Sequence, residues 1–468
     1  MKKNKKLIQR LIALTIITLI FITTVLISIN NQKNNDSIIN DTNDIIDYIN
    51  HIEDYIVNHN EETSTSEDIR VELKSEFILD IEQEVIEEAL SETLEEELLP
   101  DIREIAINNI SHINTLLSNK LDEIASDYNC VSVSLAFFHS EYDFFTYQYG
   151  FAEVNRQRPV EEETKFRVAS LSKYITALLA MTLVEKGELD LDDDISIYLG
   201  YDVRNPNYLD VPITSRMLMQ HTSSIIDDNA YITARASFRH NTTQNLLNNR
   251  RMYATRAPGT EFEYSDFGFI VLGAICEKIS GMMLDELAKE VLFNPLGIDA
   301  AYAAVNLINK NIAAIYNRNH NQGRTIQQQL SFNPRERGLE HNLAQGGLMI
   351  SALDYAKIMA MLANDGVFDD NRILSEESII EIHNTNLLTE FGYFQGLAVR
   401  YQDNVLMNQG VYWHTGSAYG LFAQFVYCRD SKQGAVVLTT GTIEDRESNG
   451  MLKICNKMIE QVWQVPIS

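Results

Sequence analysis

Cysteine is scarce in this chain. Cys130, Cys276, Cys428 and Cys455 are scattered through 468 positions, with no Cys-x-x-Cys pair and no Cys/His cluster. That spacing excludes a zinc module or a dense disulfide framework and leaves core thiols as the reading. The ten histidines form no His-Glu-x-x-His pattern, so no metal site is expected. Basic residues are short as well: 38 Lys plus Arg stand against 66 Asp plus Glu, a formal net charge of −28. Without a basic surface to neutralise phosphates, nucleic-acid binding is excluded as a general function. Glycine is absent before Gly150, and of eight prolines only Pro100 lies ahead of that point.

The charge divides the chain into three regions. Residues 1–30 carry five basic residues and no acidic ones, 31–130 carry 5 and 26, and 131–468 carry 28 and 40. Lys2, Lys3, Lys5, Lys6 and Arg10 precede an uncharged run from Leu11 to Ile29, 19 residues long. About 20 are needed for a helix to cross a bilayer. No Ala-x-Ala-like site follows, so residues 1–30 read as a transmembrane signal anchor, with a cleaved signal peptide as the alternative. The basic flank stays cytoplasmic, which places the rest of the chain outside a cell membrane crossed once. Residues 31–110 read as an acidic helical stalk. Ile45, Ile49, Ile52 and Ile56 step at helical spacing, and so do Val85, Ile86, Leu90, Leu94 and Leu98 in the acidic run. Solvated spacer helices are one use of that stripe and self-association is the other.

Residues 111–468 form the third region, opening on a helical stretch at Ser111–Asp127. Aromatic strands are expected at Val131–Phe138 and Phe144–Phe151, and helices at Tyr174–Lys186, Gly268–Ile279 and Ala352–Asn364. Strands return at Val411–Gly416, Leu421–Cys428 and Ala435–Thr440, before a closing helix near Met451–Val462. Two strands, a mostly helical middle, three strands and a helix describe an α+β domain, an antiparallel sheet covered by helices.

Three constellations carry chemistry. In Phe166-Arg-Val-Ala-Ser170-Leu-Ser-Lys173 the three-residue step puts Ser170 Oγ and Lys173 Nζ on one face of an opening helix. A serine hydroxyl needs such a neighbour to act as a nucleophile, although serine is also a common helix cap. Pro258-Gly-Thr-Glu-Phe-Glu-Tyr264-Ser265-Asp266 offers Tyr264 as a proton carrier ahead of a helix. Trp413-His414-Thr415-Gly416-Ser417 lies on a strand, where alternation puts His414 and Gly416 on one face.

Together, and in this order, the three resemble the serine beta-lactamase and penicillin-binding-protein superfamily, in its class C beta-lactamase-like branch of DD-peptidases, D-aminopeptidases and esterases. Gln220-His-Thr-Ser-Ser224, Phe293-Asn-Pro-Leu-Gly-Ile298 and Ala344-Gln-Gly-Gly-Leu348 with Ser351 and Asp354 fit the same pattern. The resemblance implies a beta-lactamase-like fold with a mostly helical subdomain, from about Ser111 to the C-terminus. It implies Ser170 as the acylated nucleophile, Lys173 as its proton partner and Tyr264 as general base. His414, in the place of the motif lysine, would polarise Tyr264 or a substrate carboxylate. Thr415, Gly416 and Ser417 would line the substrate, with the backbone N–H groups of Ser170 and Ser417 as oxyanion hole. No cofactor is implied.

Two residues depart from the pattern. Ser224 replaces a glycine, and Asp266 replaces the asparagine that holds a substrate's acylamide carbonyl. An ionised carboxylate cannot donate a hydrogen bond, and it favours a charged Lys173. Asp266 could instead meet a substrate ammonium group. The implied function is an externally facing, membrane-anchored serine hydrolase acting on D-alanyl peptide or ester groups of the cell envelope. A catalytically weak binding or scaffold protein is the alternative, and a beta-lactamase the third.

Overall fold

The computed structural model describes residues 114–140, 142–234, 242–331 and 341–464. The expected membrane anchor at 1–30 and stalk at 31–110 lie outside the described residues. Among these residues no single helix is long and apolar enough to cross a membrane.

One antiparallel sheet of nine strands organises the domain. Its strands are β1 (Ser132–Phe138), β2 (Phe144–Glu153), β3 (Arg158–Pro159), β4 (Leu387–Leu388), β5 (Phe394–Gln395), β6 (Arg400–Leu406), β7 (Gln409–Ala418), β8 (Leu421–Cys428) and β9 (Gln433–Thr440). Their order across the sheet is β4-β5-β6-β7-β8-β9-β1-β2-β3. The first and last strands of the sheet in sequence are therefore neighbours, β1 pairing with β9 from Ser132↔Thr440 to Phe138↔Gly434.

Both faces of the central strands are buried. On β1, Val133, Leu135 and Phe137 point into one apolar cluster while Ala136 and Phe138 point into another. β9 splits the same way, Ala435 and Val437 against Val436 and Leu438. This is the period-2 pattern with apolar residues at both phases, as a sheet sandwiched between helices requires. The first face packs on α1 (residues 114–127) and α5 (Lys453–Trp463). In α5 the apolar residues fall at Ile454, Cys455, Met458, Ile459 and Val462, a single stripe. The second face packs on α2 (Leu171–Glu185) and α4 (Ala352–Ala363), and α3 (Asp266–Ser280) packs on α2 from outside. α2 is buried from Leu171 through Leu183, which marks it as the central helix of the domain.

Each expected strand and helix is present to within a few residues at its ends, but the sequence reading did not resolve β3 to β6 or the short helices of the middle, such as Ser215–Met219 and Glu376–Ile382. β6 runs Arg-Tyr-Gln-Asp-Asn-Val-Leu, with Asn404 at φ +58 and a register shift between Gln402 and Leu406. A polar strand with a left-handed residue in it carries no alternation to read.

All four cysteines are free, buried thiols, and burial pushes the Cys130 thiol up to about 12.

Candidate active site

The site begins with a strained turn. A two-residue strand, Phe166–Arg167, pairs with Met349–Ile350 and leads into Ala169 at φ +47, a left-handed conformation that costs a non-glycine residue on the order of 1 kcal/mol. Ser172 Oγ holds the turn by donating to Ala169 O at 2.6 Å and accepting from Leu348 N at 3.0 Å. The turn presents Ser170 at the N-cap of α2, yet its side chain makes no capping hydrogen bond. The hydroxyl faces Lys173 instead, with Nζ donating to Ser170 Oγ at 3.1 Å.

Lys173 is fully buried. Its Nζ also donates to Gln345 O at 2.7 Å and pairs with Asp266 Oδ1 at 2.7 Å, and it stands 5.1 Å from the Tyr264 ring centre. Burial alone disfavours the ammonium, but the Asp266 carboxylate and Tyr264 outweigh it, so the Lys173 pKa lies above its ordinary value. A lysine held charged donates hydrogen bonds and cannot accept a proton.

Tyr264 and Asp266 owe their places to the start of α3. Ser265 caps that helix, its Oγ accepting from Gly268 N at 3.0 Å. Asp227 covers the same end, accepting from Asp266 N at 2.8 Å and Phe267 N at 2.9 Å. His221 lies with its ring centre 4.4 Å from that of Tyr264, and its Nδ1 accepts from Ser265 N at 3.1 Å. The motif Gln220-His-Thr-Ser-Ser224 thus packs behind the tyrosine. Ser224, where the family pattern has glycine, sits at φ +61, the region that favours glycine, and its Oγ accepts from Asn205 Nδ2 at 2.9 Å.

β7 closes the other side. β6 pairs with it only as far as Trp413, so the edge beyond is open, and this stretch lies against Ser170. A Cβ on Gly416 would come 2.3 Å from Val168 O and 3.3 Å from Ser170 N, a contact that only glycine permits. His414 is buried, with Nδ1 hydrogen-bonded to Thr415 O at 2.8 Å. Burial, with the charges of Arg400 and Lys173, pushes its pKa well below the ordinary value. The imidazole is therefore neutral at pH 7 and adds no positive charge to the site.

That charge comes from elsewhere. A pocket of about 310 Å³ opens at Ser170, lined by Tyr264, Thr415, Ser417, Arg400 and Arg446, with Phe262, Phe391 and Tyr393 as an aromatic wall. Arg400 stacks its guanidinium 4.8 Å from the Tyr393 ring centre and 4.9 Å from that of Trp413. Its Nε is buried without a hydrogen-bond partner among the described residues. Arg446 donates to Thr415 Oγ1 at 3.2 Å. Sequence reasoning missed both arginines, the aromatic wall, Asp227, and the role of Gln345. The only local signal was that Arg400 is the sole basic residue between 387 and 418.

The structure thus brings Ser170, Lys173, Tyr264, Asp266, His414, Thr415, Gly416 and Ser417 together. A hydroxyl, a charged lysine, a tyrosine and an open strand edge can support acyl transfer to serine. Comparisons with known proteins agree with that class. A family profile described as beta-lactamase matches residues 114–454. Penicillin-binding protein 4* of Bacillus subtilis (strain 168) is 31% identical over 160 residues, covering 33% of this chain and 34% of that protein. The aligned part is thus about a third of that relative's length. Among solved structures, the octameric penicillin-binding protein homologue from Pyrococcus abyssi superposes with a TM-score of 0.59 at 23% identity, covering 74% of this chain and 75% of its own. The beta-lactamase/D-alanine carboxypeptidase from Pseudomonas syringae gives 0.59 at 19% identity, covering 75% and 99%. At these identities the two superpositions show the fold, and the profile, spanning most of the chain, shows the lineage: the chain belongs to the beta-lactamase family of serine hydrolases.

Proposed function

We propose that this domain is a D-alanyl carboxypeptidase working through an acyl-enzyme on Ser170. The observation that carries the reading is the pair Arg400 and Arg446 in the same pocket as Tyr264. Tyr264, acting as a phenolate beside the charged Lys173, takes the Ser170 proton, Oγ attacks the scissile carbonyl, and the oxyanion rests on the N–H groups of Ser170 and Ser417. Tyr264 then gives its proton to the departing amine, breaking the C–N bond and leaving an acyl-serine. Water, deprotonated by Tyr264, attacks the acyl-serine; the C–Oγ bond breaks, Tyr264 returns the proton to Ser170 Oγ, and the acid is released. Because Tyr264 must reach the leaving group, that group occupies the pocket, and two guanidiniums there suit a free C-terminal carboxylate. Of the two D-alanyl chemistries open from the sequence, peptide stem and polymer ester, the arginines favour the stem.

The test uses N-acyl-D-Ala-D-Ala peptides with the terminal carboxylate free or amidated. D-Alanine should be released from the free acid, and Arg400→Ala should raise KM for it by about tenfold or more, the scale of one charge-assisted contact. Equal cleavage of both peptides would remove the carboxylate from the recognition scheme. Absence of any turnover alongside tight peptide binding would favour the binding-protein reading.

We further infer that the domain faces outward, tethered by the Leu11–Ile29 run. Protease treatment of intact cells is expected to release a fragment containing the hydrolase domain. Complete protection of that domain would show it to be inside.

A further inference from the structure

Two phenylalanines beside Ser170 have no part in the core. Phe262 and Phe391 belong to none of the apolar clusters that hold the domain together, and Phe391 keeps 50% of its surface exposed. Both line the pocket of about 310 Å³ that opens at Ser170, with Tyr393 between them. The Tyr393 ring lies 6.0 Å from that of Phe391, stacked at 13°, and 6.3 Å from that of Phe262, edge-on at 88°. The three rings therefore make one apolar surface.

That surface is fixed from behind. β4 and β5 form a hairpin, Leu387↔Gln395 and Leu388↔Phe394. Its loop is closed by Thr389, whose backbone N and Oγ1 both donate to Tyr393 O at 2.9 Å. The Arg400 guanidinium backs Tyr393 at 4.8 Å. Phe262, two residues ahead of Tyr264, sets its ring edge-on to His221 at 5.7 Å. An apolar surface that is rigid, open to solvent and unused by the core marks a place where a ligand is covered.

In the carboxypeptidase scheme the departing residue brings three groups into this pocket. Its nitrogen must reach Tyr264, its carboxylate meets Arg400 and Arg446, and its side chain takes the remaining wall, which is the rings. D-Alanine offers one methyl group to three rings and leaves most of that surface wet. A larger apolar side chain displaces the water, and each further methylene buried is worth about fourfold.

We propose that Phe262, Phe391 and Tyr393 make the leaving-group pocket selective for a terminal D-residue with a large apolar side chain, ahead of D-alanine. The selectivity rests on the carboxypeptidase reading above, since it concerns the amino acid that leaves.

The test compares N-acetyl-D-Ala-D-Leu with N-acetyl-D-Ala-D-Ala, which share one acyl group and therefore one deacylation step. The wild type should favour the leucyl peptide by about tenfold or more in kcat/KM. Phe391→Ala and Phe262→Ala should each lower that ratio several-fold, and Phe391→Leu should keep part of it. Both peptides are measured on the same enzyme, so a loss of folded protein cancels in the ratio. A wild-type ratio near or below one, or a ratio that survives both alanine variants, overturns the selectivity while release of D-alanine still upholds the carboxypeptidase. If neither peptide is cleaved, protection of Ser170 from a fluorophosphonate decides. Stronger protection by the leucyl peptide, weakened in Phe391→Ala, upholds the apolar subsite and rejects the carboxypeptidase; equal or no protection rejects both.

Discussion

Ser170→Ala is expected to abolish covalent labelling by both a fluorophosphonate and a fluorescent penicillin, and with it all hydrolysis. The hydroxyl is the nucleophile in the proposed scheme, and its Oγ contacts a buried ammonium at 3.1 Å. Tyr264→Phe keeps the ring that packs on His221 and removes only the proton carrier. It should cut turnover by about 10² or more, the usual scale for losing a general base. Lys173→Met, which keeps most of the side-chain volume, should be as severe, because the ammonium orients Ser170 and contacts Tyr264 together. Labelling of Ser170→Ala at the wild-type rate would place the nucleophile elsewhere.

Asp266→Ala is expected to cost about 3 kcal/mol or more of stability, the range for stripping one partner from a buried ion pair. Lys173 is fully buried and Asp266 keeps only 24% of its side chain exposed, so solvent cannot replace the lost carboxylate. Asp266→Asn should be milder, since the amide oxygen can still accept from Nζ. Its new N–H₂ can also hold an acylamide carbonyl, so penicillin acylation should rise in that variant. The pH dependence follows from the raised Lys173 pKa. A raised value means that the pair's contribution is fully present below the unfolded lysine value of about 10.4 and is lost as pH climbs through the folded one. The stability gap between wild type and Asp266→Ala should therefore be widest at neutral pH and shrink above about pH 10. A gap that is constant with pH would mean the loss is packing, with no charge pairing in it.

Much of this site was legible because it is local. Ser170 and Lys173 are one helical turn apart, and Tyr264, Ser265 and Asp266 form one helix start, so spacing alone relates them. The strand alternation that pairs His414 with Gly416 is equally local. What could not be read is everything that depends on burial or on distant segments. His414 is expected from the sequence to polarise Tyr264 or a substrate carboxylate, and its neutral state follows only from its burial beside Arg400 and Lys173. Arg400 comes from a strand with no readable alternation, and Arg446 from a loop, so no spacing links either to Ser170. Asp266 stood between two partners in the sequence, and its 2.7 Å contact is with Lys173. The sheet was half legible for the same reason: β1, β2, β7, β8 and β9 are rich in apolar and aromatic residues, while the short strands β3, β4 and β5 and the polar β6 exist by pairing to a neighbour.

The placement of α1 has a mechanical consequence. This helix lies with α5 on one face of the sheet, through Leu117, Leu121, Ile124 and Ala125, while α2 and the Ser170 turn lie on the other. A pull on the chain ahead of residue 114 is thus taken up by α1 and shared into β1, which is zipped to β9 and β2 along its whole length. The path from residue 114 into the sheet therefore runs through α1 and β1 and does not include the strained turn at Ala169, which lies on the opposite face.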